Sequence, residues 1–258
     1  MVVRAHAGPE TSRQRHALIT APAPAAWAHT AFAWAGMTLG AAMWRRTLKQ
    51  QQRGSTLAPG NFAVVVGLLI GAALGNKAVF LLERPDVALA LWQGQPVWPG
   101  QSIVGGLLGG LIGVEIAKAL TRQTRSTGDA MVWPLAVGLA IGRVGCFLAG
   151  LHDDTYGLPT SVPWGVDFGD GVRRHPTQLY EIAVVLPLGW ALQRARFATP
   201  GAAFKVFLCS YLAWRFAVEF IKPVPVAWPL GLSGIQWTCL VALAVYAPFT
   251  LRAVRARP

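Results

Sequence analysis

Arg143 stands in Gly142-Arg143-Val144-Gly145-Cys146-Phe147, with apolar residues before and after it. A guanidinium placed in such a stretch is expensive unless it meets a partner or an anionic ligand. Further on, Arg173-Arg174-His175-Pro176-Thr177-Gln178-Leu179-Tyr180-Glu181 packs two cations, an imidazole, a phenol and a carboxylate into one short segment. Arg215 and Glu219 follow at i and i+4, on one face of a helix. Arginine presents a planar fork of donors that matches the oxygens of a phosphate diester. Two such groups, with proton-carrying neighbours, describe a pocket for an anionic phospholipid head group that opens to lipid.

These residues need elements to hold them. Hydrophobic residues make up 53% of the chain and charged residues 13%, about half the charged share of an average soluble domain. Seven stretches approach the roughly 20 apolar residues that cross a bilayer as a helix: Ala25–Trp44, Asn61–Leu82, Ser102–Leu120, Asp129–Gly150, Gln178–Arg196, Ala202–Ile221 and Ile235–Leu251. The expected fold is all-α, a polytopic integral membrane protein of about seven transmembrane helices. The expected layout is a flexible segment at 1–24, one transmembrane domain at 25–252 and a basic cytoplasmic tail at 253–258. Residues 152–177, rich in Pro and Gly, read as a turn-rich outer loop.

Basic residues set the orientation. Arg45, Arg46, Lys49 and Arg53 follow the first stretch; Lys118, Arg122 and Arg125 the third; Arg194, Arg196 and Lys205 the fifth; Arg252, Arg255 and Arg257 the last. They outnumber those on the opposite side, Arg4, Arg13, Arg15, Arg84, Arg173, Arg174 and Lys222. The N-terminus is therefore expected in the periplasm and the C-terminus in the cytoplasm, in a bacterial inner membrane. The net charge of +12 could also mark a nucleic-acid binder. Its dispersal in short clusters between apolar runs argues against nucleic acid as a partner.

The glycine-rich run from Gly105 to Gly113 lacks the Lys-Ser/Thr ending of a phosphate loop. Small residues there let two helices approach closely. Cys146, Cys209 and Cys239 show no paired spacing and read mainly as small buried hydrophobes, Cys146 having a nucleophile as its alternative reading. Lys77, Glu115 and Asp129 are further ionisable groups inside apolar stretches. For Glu115, Lys118 and Asp129 a structural role is at least as good a reading as a functional one.

Several segments together resemble the prolipoprotein diacylglyceryl transferase family: GRVGCF, the loop with Pro163-Trp164-Gly165, RHPTQLYE, and WRFAVEFIKP followed by Gly231-Leu232-Ser233 and Gln236-Trp237. Gly128-Asp129 and Pro134 precede them in the matching order. The resemblance implies a seven-span enzyme that moves the diacylglyceryl group of phosphatidylglycerol to the lipobox cysteine of an exported preprolipoprotein, with no metal and no organic cofactor. Carried over by position, Arg143 and Arg215 hold the phosphate and Glu219 orients Arg215. His175, Gln178, Tyr180 and Glu181 shape the pocket, and Lys77 and Lys222 stand where the family carries arginines.

Other positions depart from the family pattern. Val104 stands where the pattern has a His before Gly-Gly, and Cys146 where it has Asn. The stretch Ala149-Gly150-Leu151-His152-Asp153-Asp154 replaces an NGE sequence. With the usual imidazole gone, His152 beside Asp153 or Asp154 is a candidate base, a solvated loop being the plainer reading, and the leaving phosphate is another proton acceptor. Two other functions remain open from these residues: a divergent paralogue acting on another acceptor, and a non-catalytic phospholipid-binding membrane protein.

Overall fold

The structure is a computed structural model that describes residues 22–51, 59–97, 99–153 and 155–256. Each of the seven apolar stretches is helical. They form α1 (Pro22–Gln50), α2 (Pro59–Glu83), α4 (Ile103–Leu120), α5 (Val132–Ala149), α6 (Thr177–Arg194), α7 (Ala202–Val218) and α8 (Gly234–Arg255). An eighth helix, α3 (Pro85–Trp92), follows α2 directly and starts on a proline at its first position, where a missing N–H costs nothing. Among the described residues, four helical segments, 61–83, 103–120, 129–153 and 234–255, are long and apolar enough to cross a membrane. Leu74, Ile112, Ile116 and Val245 are exposed on their outer faces, as expected of helices apolar on every side that lie in lipid.

The loop at 152–177 carries more order than its composition shows. Strands β1 (Val166–Asp167) and β2 (Arg173–Arg174) form a small antiparallel hairpin. Asp167 accepts hydrogen bonds from the Gly169 and Gly171 N–H groups in its turn. Helix α8 continues to Arg255, so the first half of the expected C-terminal tail, 253–255, is the end of that helix. The flexible segment expected at 1–24 lies almost wholly outside the described residues.

Glycine contacts set the helix packing. Gly67, Gly71 and Gly75 of α2 face Gly113, Gly109 and Gly105 of α4, and a Cβ on any of them would collide with the opposing backbone. Gly36 of α1 meets Gly138 of α5 in the same way, and Gly189 of α6 abuts Ala136 of α5. By contrast, a Cβ on Gly142 of α5 meets nothing within 4 Å. Gly109→Leu is therefore expected to destabilise the protein by about 3 kcal/mol, while Gly142→Ala leaves stability unchanged or slightly raised. Thermal unfolding in detergent measures both, and equal effects would rule out the glycine seam as a packing determinant.

Three of the ionisable groups noted in the sequence have structural partners. Asp129, in a 3-10 turn before α5, accepts hydrogen bonds from the Gly201 and Phe204 N–H groups at the start of α7. Lys118 pairs with Glu115 at 3.0 Å, one turn away on α4. Unremarked in the sequence, buried Glu83 at the end of α2 accepts from the Ile235 N–H at 2.9 Å. It thereby caps the start of α8 together with the Ser233–Gln236 capping box.

Candidate active site

Helices α5, α6 and α7 bring the expected charges together. Arg143, near the end of α5, is buried and its Nη2 lies 2.8 Å from Glu181 Oε2. Glu181 stands one turn into α6, and its other oxygen accepts a hydrogen bond from Tyr211 Oη of α7 at 2.8 Å. One turn beyond Tyr211, Arg215 pairs with Glu219 at 2.7 Å. All five side chains are buried. Removing one member of such a set strands a charge away from water.

Not every donor is used. Buried Arg143 Nε has no hydrogen-bond partner among the described residues, and neither has Gln178 Oε1. Orphaned buried polar atoms are rare, and an unpaired guanidinium N–H beside a second arginine is the arrangement that an oxyanion would complete. Lys222 follows the 3-10 turn 219–221 that ends α7 and is itself buried. Burial, reinforced by the neighbouring Arg215 charge, brings its ammonium down to about 8.

Other expected site residues have different surroundings. His175 Nδ1 lies 3.1 Å from Tyr180 Oη, and Tyr180 Oη accepts from Trp164 Nε1 at 2.7 Å. This trio ties the Pro163-Trp164-Gly165 turn to the start of α6. Arg173 completes the tie by donating to the Val162, Pro163 and Gly165 carbonyls. Gln178 is fully buried and donates to Thr155 Oγ1 at 3.1 Å. Lys77 of α2 donates to the Pro99 and Gly100 carbonyls at 2.8 and 2.9 Å, fastening the segment that leads into α4.

His152 is exposed. Of the two carboxylates expected beside it, Asp153 has Oδ1 2.7 Å from Nδ1 of His29 on α1, and Asp154 lies outside the described residues. Cys146 Sγ, one turn beyond Arg143, is 3.8 Å from the same His29 nitrogen and 3.8 Å from Arg143 Nη1. Asp153 Oδ2 accepts from Thr155 Oγ1 at 2.6 Å. His29 is the functional candidate that the sequence reading passed over. The signal was an ionisable residue inside an apolar run, but its partners are more than a hundred residues away.

A groove of about 1300 Å³, lined by none of the five buried side chains above, is walled by α1, α2, α4 and α5, with Phe204, Lys205, Tyr246 and Phe249 also on it. Gly36, Leu68, Ala72, Gly106 and Leu135 are part of its largely apolar lining, which reaches from Ser102 at one end to Lys118 and Lys205 at the other.

Comparison with known proteins adds the decisive observation: residues 25–251 match the family described as prolipoprotein diacylglyceryl transferase. The chain belongs to that family. Among its relatives is a phosphatidylglycerol–prolipoprotein diacylglyceryl transferase of Nitrosomonas europaea, 32% identical over 81% of this chain and 79% of that protein. A protein of the same name from Bordetella parapertussis is 36% identical, covering 68% and 70% of the two chains. One from Geobacter sulfurreducens is 34% identical over 62% of this chain and 63% of its own, so under two thirds of that relative is spanned. Within the family frame, Val104 is 1% exposed and packs in the apolar core that includes Tyr211 and Leu212. That position offers no base here. The His29–Asp153–Cys146 cluster adjoins Arg143 through Cys146.

Proposed function

We propose that this chain is a phosphatidylglycerol–prolipoprotein diacylglyceryl transferase: it moves the diacylglyceryl group of an anionic phospholipid onto the lipobox cysteine of an exported preprolipoprotein. Family membership supports the activity. The structural observation that carries it is Arg143, buried, held by Glu181 and retaining an unpaired Nε donor. The phosphate would lie between Arg143 and Arg215, with Lys222 and Gln178 at its edge and the acyl chains in the apolar groove. As the carbon–oxygen bond breaks, charge grows on the leaving glycerol phosphate. Fixed guanidiniums stabilise that charge without reorganising.

The same reading gives the enzyme seven spans in a bacterial inner membrane, N-terminus periplasmic and C-terminus cytoplasmic. The basic residues after α1, α4, α6 and α8 support this orientation. The site then faces outward, where an exported acceptor emerges. Complementation tests the function. Expressed in cells depleted of their own transferase, the chain should restore lipoprotein maturation, and failure despite membrane insertion would refute the activity. Buried Val104 favours one second reading, a transferase for a different thiol acceptor. In that case the depleted cells remain unrescued while cellular phospholipid is still consumed.

Lys222 gives the site a pH dependence. Its ammonium is charged below about 8 and loses its proton as the pH rises through that value. A phosphate anion favours the charged form, so lipid affinity should be full below this value and fall by up to about tenfold per pH unit above it, toward a lower plateau. Arg215, Arg143, Glu181 and Glu219 surround it but hold their charge in paired form. Lys222→Arg should abolish the alkaline fall, and Lys222→Met should give weaker binding without it. Phosphatidylglycerol titrations in detergent across this range check it. An unchanging affinity in the native chain would refute the role.

A further inference from the structure

His29, Cys146 and Asp153 come from α1, α5 and the 3-10 turn that follows α5. Their donor atoms, one nitrogen, one sulfur and one oxygen, all lie within 4.8 Å of one another. At first sight this is a Cys–His–Asp relay. A relay, however, uses both imidazole nitrogens, one toward the carboxylate and the other toward the nucleophile. Here the carboxylate at 2.7 Å and the sulfur at 3.8 Å both face Nδ1. A single nitrogen cannot give its proton to Asp153 and accept one from Cys146. A nitrogen, a sulfur and an oxygen this close together are a ligand set for an ion.

We propose that His29 Nδ1, Cys146 Sγ and Asp153 Oδ1 bind a zinc ion whose open fourth position takes the thiol of the acceptor cysteine. Zinc bonds of about 2.0–2.3 Å in a tetrahedron set ligand atoms roughly 3.3–3.8 Å apart. For these ligands the nitrogen–sulfur edge is about 3.5 Å and the nitrogen–oxygen edge about 3.3 Å, so the first distance closes by about 0.3 Å and the second opens by about 0.6 Å. Three protein ligands of this kind are the pattern of a zinc site that does chemistry, whereas structural sites use four. The carboxylate is oriented from behind: Thr155 Oγ1 donates to its other oxygen at 2.6 Å, Gln178 Nε2 donates to that hydroxyl at 3.1 Å, and Thr177 Oγ1 donates to the Thr155 carbonyl at 2.6 Å. Metal-binding side chains are held by such outer contacts. The ion, the Cys146 thiolate and the Asp153 carboxylate sum to zero charge, which suits a site where Cys146 is buried. The His29 side chain, 37% exposed, leaves a way in.

The site's role rests on the transfer reading above, though its existence does not. Arg143 Nη1 lies 3.8 Å from Cys146 Sγ, so the ion and the phosphate clamp are neighbours. The acceptor thiol releases its proton to solvent on binding zinc, because a coordinated thiol is deprotonated. The zinc-bound sulfur forms a bond to the glyceryl carbon attached to phosphate, and that carbon–oxygen bond breaks. Its electron pair leaves on the glycerol phosphate, held by Arg143 and Arg215. Nothing is oxidised or reduced, and the ion supplies the thiolate that no histidine at position 104 can generate.

The test uses the full chain in detergent, stripped with EDTA and dialysed against zinc chloride, with metal measured by mass spectrometry. One zinc per chain is expected, lost in His29→Ala, Cys146→Ser and Asp153→Asn and kept in Cys209→Ala. Cobalt chloride should give a thiolate-to-cobalt charge-transfer band that Cys146→Ser removes. Thr155→Val should weaken metal affinity by about 10- to 100-fold. Monodisperse native protein that holds no stoichiometric metal and shows no such band would overturn the site. Undiminished transfer by the metal-free chain would overturn its thiol-activating role and leave the transferase reading intact. Bound zinc with no transfer to any lipobox peptide would instead support the site and remove the transferase reading.

Discussion

Arg143→Ala is expected to reduce diacylglyceryl transfer to background, a loss of about 10²–10³-fold or more. Arg143 Nη2 is fixed by Glu181, its Nη1 lies 3.8 Å from the Cys146 sulfur, and its Nε, without a partner among the described residues, is the donor that the proposed function gives to the lipid phosphate. Truncation removes charge from the leaving phosphate at the point where negative charge grows. Arg143→Lys keeps the charge but loses the fork and should recover only a small part of the rate. Transfer from labelled phosphatidylglycerol to a lipobox peptide in proteoliposomes is the measurement. Elution behaviour and thermal unfolding of each variant separate lost chemistry from lost structure. An Arg143→Ala protein with native rate would end the phosphate-clamp assignment.

The second large effect concerns the carboxylate. Glu181→Met should destabilise the protein by about 3–5 kcal/mol, because Arg143 would remain buried without its counter-ion. Tyr211 would also lose the acceptor of its hydroxyl. Adding Arg143→Met to the same chain should restore most of that stability, since a buried ion pair replaced by apolar groups of similar volume is often neutral or better. Transfer should stay lost in the double variant. Thermal unfolding in detergent, with the four proteins compared as a cycle, reads the coupling directly. A double variant no more stable than Glu181→Met would show that the destabilisation comes from packing around α5, α6 and α7 and not from the unpaired charge.

The difference between these two experiments reflects how buried charge works in this fold. Arg143 and Glu181 hold each other in place at 2.8 Å, and that mutual restraint keeps the third donor of the guanidinium aimed and free. Stability alone would favour an apolar pair. Under the proposed function, the ion pair presents a positive charge, already desolvated and oriented, to the lipid phosphate.

The apolar runs determined the helices. Each of the seven stretches is helical, and in the four that are long and apolar enough to cross a membrane the backbone must satisfy its hydrogen bonds internally. Glycines at every fourth position marked the close face of α4, and Gly71 and Gly75 of α2 now supply its opposite side. The i and i+4 spacing of Arg215 and Glu219 predicted their pairing, and the structure has it at 2.7 Å. Local spacing was enough there, since both residues ride one helix.

Contacts between distant elements were not legible in this way. Asp153 was one of two carboxylates read beside His152, with Asp154, but its partner is His29, brought there by α1 packing against α5 through Gly36, Gly138 and Gly145. Cys146 looked like filler because its chain neighbours are apolar, and only the approach of α1 sets an imidazole beside its sulfur. Glu181 meets Tyr211 for the same reason, from adjacent helices. A single sequence records periodicity along one helix. It does not record which faces meet, because that is set by shape and close approach across the bundle. The sequence by itself determined the membrane helices and the arginines; the tertiary structure decided which carboxylate holds Arg143 and which three side chains converge next to it.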